Sequence, residues 1–118
     1  MRLKIFPKIG NIIYNFPKQE INIAMKIIGK EKLHAFMQKN ARSRKPLTVW
    51  LSDAQSSNWR TPQDIKNAYR SADFLSENRV IFNIGGNHYR LIVQVRYCNG
   101  IVKIDWVGTH TEYDKLKL

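Results

Sequence analysis

The sequence predicts an α+β domain in which N-terminal helices pack on one face of an antiparallel sheet. Apolar residues recur with helical spacing between residues 30 and 69, and then with a period of two between residues 80 and 106. The order of helices first and strands second indicates two layers rather than the alternating units of a parallel sheet. The length of 118 residues suits one domain, and a hydrophobic fraction of 43% is enough to bury one modest core.

The first 24 residues differ in pattern from the rest of the chain. They contain two Phe-Pro steps and show no clean period, and proline disfavours a helix across either step. At Met25 a new apolar run begins, and residues 25–28 are predicted to form a short first strand that ends at Gly29. We therefore expect an N-terminal extension over residues 1–24 and a folded domain over residues 25–118, with Met25 as a candidate internal start.

Three helices are predicted after this strand. The first spans residues 30–40, where i, i+3, i+4 spacing is given by Leu33, Phe36 and Met37. A basic break over residues 42–45, closed by Pro46, separates it from the second helix. The apolar side of the second helix carries Leu47, Trp50, Leu51 and Ala54. The third begins after the capping residue Thr61 and ends near Tyr69.

The remainder of the chain predicts an antiparallel meander. Residues 80–84 alternate between apolar and mixed positions, and Gly85-Gly86-Asn87 supplies the positive-φ residues of a hairpin turn. The returning strand places on the core face Tyr89, Leu91, Val93 and Val95. A second turn at Cys98-Asn99-Gly100 leads to a strand with three core positions, Val102, Ile104 and Trp106. Residues 110–115 are predicted to form a closing helical turn.

Composition limits the classes of function. Lysine and arginine total 20 against 9 aspartates and glutamates, a net charge of +11. A small domain this basic most often binds a polyanion, and nucleic acid is the first candidate. The single cysteine, Cys98, cannot form a disulfide framework or a Cys-based zinc cluster. No run of about 18 apolar residues is present to span a membrane. We expect a cytoplasmic protein that needs neither metal nor cofactor.

The sheet face turned away from the helices is predicted to be polar and basic. It displays Asn83, Arg90, Gln94, Arg96 and Lys103. The closing turn brings His110 to this face, and Tyr113, three residues later, lies on the same side of the turn. A guanidinium, an imidazole and a phenol can thereby converge, with ammonium groups nearby from Lys66, Lys103 and Lys115.

This set of side chains suits metal-free cleavage of RNA. The ribose 2′-hydroxyl attacks its own phosphodiester while the 5′-oxygen leaves, so the reaction needs a base, an acid and a cation. Arg90 can contact a phosphate through two N–H groups, and histidine is the side chain that ordinarily changes charge near neutral pH. Exposed arginines and single histidines are usually structural, so a non-catalytic module that binds RNA or the ribosome is an open alternative.

Four segments resemble toxins of the HigB family. They read WRTPQDIK from Trp59, SADFL from Ser71, NRVIFNIGGNHYRL from Asn78 and GTHTEYDK from Gly108. The family commonly ends in G-T-H-x-E-Y-D. The resemblance covers residues 25 to about 116, in order and with natural spacing, and leaves residues 1–24 outside.

The resemblance implies a RelE-like, microbial RNase-like fold and an endoribonuclease that cleaves mRNA on the ribosome and so inhibits translation. It also implies a HigA antitoxin with a helix-turn-helix, with operator DNA contacted only through that antitoxin and no membrane partner. The catalytic positions fall on Asn83, Arg90, His110 and Tyr113. The resemblance also implies that Lys66, Asn87 and Lys115 help to bind RNA. Lys103, on the basic sheet face, is a further candidate for RNA binding. Asp105 stands where similar sequences often have a basic residue, so a decayed toxin that only binds its antitoxin is a further alternative.

Overall fold

A computed structural model describes residues 24–116 and shows a five-stranded sheet with helices against one face. The strands are β1 (Lys26–Ile28), β2 (Asp73–Leu75), β3 (Arg79–Ile84), β4 (Tyr89–Arg96) and β5 (Ile101–Thr109). The α-helices are α1 (Lys30–Lys39), α2 (Arg44–Ser56), α3 (Pro62–Ala68) and α4 (His110–Asp114), and a short 3-10 helix at Ala41–Ser43 joins α1 to α2. The predicted α+β class is confirmed. The predicted extension over residues 1–24 lies, apart from Ala24, outside the described residues and stays a prediction.

The strands lie in the order β1-β5-β4-β3-β2. The predicted antiparallel meander is confirmed for β3, β4 and β5. β2 adds an antiparallel strand beside β3, whereas β1 pairs with β5 in parallel. A parallel pair needs a long crossover, and here the connection between the two strands contains three helices and the other three strands. The sheet is therefore mixed at one edge. The sequence did not indicate β2, because the three residues Asp73–Leu75 are too few to show a period of two.

The helices and one face of the sheet enclose a continuous apolar core. The helices bury Leu33, Leu47, Trp50, Ala54 and Ile65. The alternating strand positions bury Val80, Phe82, Leu91, Val93, Val95, Val102 and Ile104. Phe82 lies at the centre of an aromatic group, with ring centroids 5.4 Å from Trp50, 5.9 Å from Trp59 and 5.1 Å from Tyr69. Since these rings come from two helices, a loop and a strand, their packing fixes the helical layer on the sheet.

Helix α2 begins earlier than the sequence indicated. The predicted basic break over residues 42–45 covers the end of the 3-10 helix and the first two residues of α2, which starts at Arg44. Pro46 is the third residue of α2 rather than a boundary. Proline is tolerated there because the first backbone N–H groups of a helix have no intrahelical acceptor.

Two local predictions are confirmed by the backbone. Thr61 caps α3 in a capping box, in which its side chain accepts from the backbone N–H of Asp64 and the Asp64 carboxylate accepts from the backbone N–H of Thr61. The hairpin turn between β3 and β4 has φ values of 62°, 62° and 75° at Gly85, Gly86 and Asn87. These left-handed conformations explain why two glycines and an asparagine are found there.

A β-bulge changes the orientation of the last part of β5. Ile92 lies opposite Trp106 and Val93 lies opposite Ile104, so Asp105 is an extra residue in β5. Before the bulge, Val102 and Ile104 face the core as predicted. After it the alternation is inverted, and Trp106 lies on the face away from the helices. The prediction that Trp106 packs in the core is therefore wrong, because a period of two cannot be continued through a bulge.

Candidate active site

The sheet face away from the helices, here called the open face, is organised as rows of cross-strand neighbours. One row consists of Asn83, Arg90 and Gly108, and the next of Ile81, Ile92 and Trp106. Cross-strand partners point to the same side of a sheet, so each row forms a continuous strip. Ile81 and Ile92 are only 3% and 4% exposed. The open face therefore has an apolar middle strip beside the polar strip that contains Arg90.

Arg90 is held in place by the backbone around it. Its Nη1 donates to the carbonyl oxygen of Asn87 at 3.1 Å and to that of Tyr89 at 3.4 Å. Its Nη2 lies 2.9 Å from Nδ1 of His110, and its guanidinium carbon lies 5.7 Å from the ring centroid of Tyr113. The three side chains predicted to converge do so, and the guanidinium is at their centre.

His110 is positioned by the start of α4. Thr109 caps this short helix in a capping box with Glu112, and the backbone N–H of His110 donates to the carbonyl oxygen of His88 at 2.9 Å. The second contact ties α4 to the residue that precedes β4. Because the cap fixes the first turn, the imidazole and the Tyr113 ring, three residues apart, both face Arg90.

The contact with Arg90 determines the tautomer of His110. A guanidinium has only donors, so Nδ1 must accept the hydrogen bond and the ring proton must lie on Nε2. That proton faces the Asp114 carboxylate, with Nε2 and Oδ2 3.4 Å apart. In this geometry Nδ1 becomes available to a proton only when the guanidinium releases it.

The other predicted site residues lie around this cluster. Asn83 is the cross-strand neighbour of Arg90, and its amide nitrogen donates to the carbonyl oxygen of Ser71 at 2.9 Å. The Lys66 ammonium donates to the carbonyl oxygen of Ala72 at 2.8 Å. Both residues thereby hold the loop that leads into β2. Asn87 contributes to the cluster through its backbone carbonyl, which orients Arg90.

Two of the predicted lysines, Lys103 and Lys115, lie outside the cluster. Lys103 lies opposite Gln94, four residues along β4 from Arg90 and so roughly 13 Å away. Its ammonium is 3.6 Å from the Asp105 carboxylate. Lys115 is the C-cap of α4 and is exposed. The structure therefore brings together Arg90, His110, Tyr113 and Asn83, and leaves the lysines at the periphery.

Two residues beside the cluster were not predicted from the sequence to lie there. Asp114 contacts His110, and its only sequence signal was the i, i+4 spacing between the two residues. Trp106 reaches the cluster through the bulge, with its ring centroid 6.3 Å from that of Tyr113. The sequence of β5 did not mark the bulge, because a charged residue between two apolar ones, as at Asp105, is also what regular alternation gives.

Two negative findings apply to residues 24–116. Within this range, no three His, Cys, Asp or Glu side chains gather in a group that could hold a metal ion. Among the helices described there, none has the length and apolar character needed to cross a membrane.

Comparison with known proteins yields one family. The HigB_toxin family model, described as the RelE-like toxic component of a toxin-antitoxin system, matches residues 43–116. The match covers more than half of the chain and includes Asn83, Arg90, His110 and Tyr113. A search of curated proteins found no match.

Proposed function

The chain belongs to the HigB family of RelE-like toxic components of toxin-antitoxin systems, and we propose that it is a metal-independent endoribonuclease that cleaves mRNA on the ribosome. The observation that carries this proposal is the contact of Arg90 with both His110 and Tyr113 on the open face. These three groups supply the cation, acid and base that cleavage of a ribose–phosphate chain needs.

The proposed reaction is an internal transfer. The 2′-oxygen forms a bond to the adjacent phosphorus, the bond from phosphorus to the 5′-oxygen breaks, and a 2′,3′-cyclic phosphate remains. One of His110 and Tyr113 takes the proton from the 2′-hydroxyl, and the other gives a proton to the leaving 5′-oxygen. Arg90 stabilises the extra negative charge on the phosphate oxygens, and Asn83 orients the substrate beside it.

Substrate binding would also prepare the histidine. In the absence of RNA, Arg90 occupies Nδ1 of His110. A phosphate that binds the guanidinium competes for the same N–H groups, and its arrival frees Nδ1 to accept a proton. The acid–base group is in this way masked until the scissile phosphate is in place.

The remaining roles follow the family and the charge of the domain. Membership in a toxin-antitoxin family implies an antitoxin partner. We propose that this partner is a HigA-type helix-turn-helix protein, through which alone operator DNA is contacted, and that the toxin acts in the cytoplasm. Side chains that support RNA binding are proposed to be Lys66, Asn87, Lys103 and Lys115.

The test compares two arginines of β4. Induced expression of the wild-type chain should stop growth and leave transcripts cut at defined positions, and Arg90→Ala should prevent both. Arg96→Ala is the matched control, because Arg96 lies on the same face of the same strand, roughly 20 Å from Arg90. Full toxicity of Arg90→Ala would contradict the proposed role of this residue.

A 2′-deoxy substitution tests the chemistry directly. An mRNA that lacks one 2′-hydroxyl at a mapped cleavage position should resist cleavage there and remain sensitive elsewhere. Cleavage at the deoxy position would exclude the internal transfer.

Asp105 favours a second candidate function. This carboxylate lies 3.6 Å from the Lys103 ammonium and reduces the positive charge available to a phosphate. A toxin that binds RNA, the ribosome or only its antitoxin without cleaving would have this property. This second function predicts that expression from either Met1 or Met25 produces no new RNA ends, while the chain still binds RNA, the ribosome or its antitoxin.

A further inference from the structure

A groove runs beside the catalytic cluster, between α1, the bulged part of β5 and α4. Its volume is about 730 Å³, and its lining includes Lys32, Phe36, Lys39, Trp106 and Lys115. It begins where β1 ends, because β1 covers the edge of β5 only at Ile101, Val102 and Lys103. The groove and the cluster of Arg90, His110 and Tyr113 share α4, which contributes Glu112 and Lys115 to the groove.

The aromatic residue of this groove is placed by the backbone. The bulge at Asp105 turns Trp106 away from the core, and its ring then lies over Gly108, where an added Cβ would be 2.4 Å from Cη2 of the indole. The same ring neighbours that of Tyr113 at 6.3 Å. By contrast, Trp50 and Trp59 are 1% and 3% exposed within the core. Trp106 is thus the tryptophan that the fold presents beside the reacting groups.

The charge of the groove is positive. Lysines lie on both sides of it, Lys32 and Lys39 from α1 and Lys115 from the end of α4. The two carboxylates of the lining are already engaged, since Glu112 accepts from the backbone N–H of Thr109 at 2.8 Å and Asp105 lies near Lys103. An aromatic ring bordered by ammonium groups fits single-stranded nucleic acid, in which bases stack and phosphates need cations.

We propose that this groove is the subsite for the nucleotide next to the scissile phosphate, with its base stacked on Trp106 and its phosphate near Lys115 and Lys32. The inference rests on the proposed function and deepens it, because it assigns part of substrate recognition to residues outside the cluster. RNA is favoured over an acidic protein segment because the groove continues into the cluster through the Trp106–Tyr113 contact.

The experiment measures cleavage of a defined mRNA on programmed ribosomes by the purified full-length chain. Trp106→Leu should raise KM about tenfold and leave kcat within about threefold, since base stacking on an aromatic ring contributes a factor of this order. Trp106→Phe should keep most of the affinity. Lys115→Ala should also raise KM. Lys26→Ala is the control, because Lys26 pairs with Ile101 at the start of β5, the end of that strand opposite to α4.

The positions of cleavage give a second readout. If the subsite reads a base, end-mapping should show a broader set of cleavage positions for Trp106→Leu than for wild type and Trp106→Phe. Trp106→Met, with a flexible unbranched side chain and no aromatic face, replaces Trp106→Leu if circular dichroism shows that the leucine variant does not fold.

The outcomes separate the inference from the proposed function. If the wild type cleaves RNA and the nonaromatic variants keep its KM and its cleavage positions, the subsite is wrong and the proposed function stands. If those variants cleave normally and lose antitoxin binding, the groove is a protein docking surface and the subsite is wrong. If the wild type makes no cuts, the proposed function fails and the subsite fails with it.

Discussion

The 2.9 Å contact between Arg90 and His110 governs the chemistry available to the site. Since arginine offers no acceptor, proton uptake at Nδ1 of His110 would set two donors against each other. Arg90 must therefore move or bind something else before His110 can act through Nδ1. The phosphate that Arg90 would bind is the reacting group itself, so substrate binding and proton transfer are coupled at a single hydrogen bond.

Asp114 is expected to position His110 rather than contact RNA. Its carboxylate faces Nε2 at 3.4 Å, and without it the imidazole is restrained on one side only. Asp114→Ala should lower kcat roughly tenfold with little change in KM, a part of the 10²- to 10⁴-fold that acid–base catalysis supplies. Cleavage kinetics on programmed ribosomes check this, with Asp73→Asn as a control at another exposed aspartate. A change confined to KM would instead make Asp114 part of the binding surface.

Gly108 is required by the tryptophan above it and not by its backbone conformation. An added Cβ would lie 2.4 Å from Cη2 of Trp106 and 2.9 Å from Oε1 of Glu112. Gly108→Ala should therefore cost about 1–3 kcal/mol of unfolding free energy through overpacking. In a Trp106→Ala background the same change should cost less than about 1 kcal/mol. Chemical denaturation of the wild type and the three variants measures the cycle, and equal costs in both backgrounds would show that the indole does not constrain this position.

Helix caps and tight turns could be predicted from the sequence, because neighbouring residues alone determine them. The cap of α3 needs only Thr61, Pro62 and Asp64, and the hairpin turn needs only residues with easy access to positive φ, so both were visible in the sequence. The parallel position of β1 depends on its pairing with β5, which is far away in the sequence. No pattern within Lys26–Ile28 encodes that pairing.

The candidate site divides in the same way. Strand alternation and the closing helical turn after β5 were enough to predict the meeting of Arg90, His110 and Tyr113. The bulge at Asp105 was not predictable, because it depends on how β5 fits against β4 and α1, where the Lys32 ammonium donates to the Asp105 carbonyl oxygen at 3.1 Å. Because this bulge determines the position of Trp106, the groove beside the cluster could not be predicted from the sequence either.

The contact between α2 and the end of α3 should make stability depend on alkaline pH. Burial, together with the hydrogen bond that Tyr69 donates to Asp53 at 2.8 Å, raises the pKa of the Tyr69 hydroxyl above its ordinary value of 10.0. As pH rises above that value, the unfolded chain loses this proton before the folded one does. The stabilisation is therefore fully present below pH 10 and is lost as pH increases further.

Tyr69→Phe tests this prediction. The variant should be less stable than wild type by about 1 kcal/mol at pH 8, where the hydrogen bond is intact in the wild type, and the difference should shrink above pH 10. Urea unfolding between pH 8 and 11 gives both values. Some slope should remain in the variant, because burial also raises the pKa of Tyr97. Parallel curves for the two proteins would mean that Tyr69 does not carry the dependence.

The two faces of the sheet have different roles in the domain. The face under the helices contains the core and determines stability, while the open face and α4 contain the cluster. The net charge of the domain adds a long-range effect, since residues 25–118 hold 16 basic and 8 acidic residues, 16 − 8 = +8. A charge of this size attracts any polyanion, so affinity alone cannot distinguish a nuclease from an RNA-binding module.

The dependence of binding on salt distinguishes general attraction from defined phosphate contacts. The logarithm of RNA affinity should fall linearly with the logarithm of salt concentration. Alanine at Lys66, Lys103 or Lys115 should each reduce the slope by about 1 if that lysine contacts a phosphate. Lys26→Ala, at the end of the β1–β5 pair opposite to α4, should leave the slope unchanged. Titration of an uncleavable 2′-deoxy-substituted mRNA at several salt concentrations provides the measurement.

Of the three lysines, Lys66 is the most exacting test, because its ammonium must leave the carbonyl oxygen of Ala72 to reach RNA. An unchanged slope for Lys66→Ala would assign this residue to the loop before β2 alone.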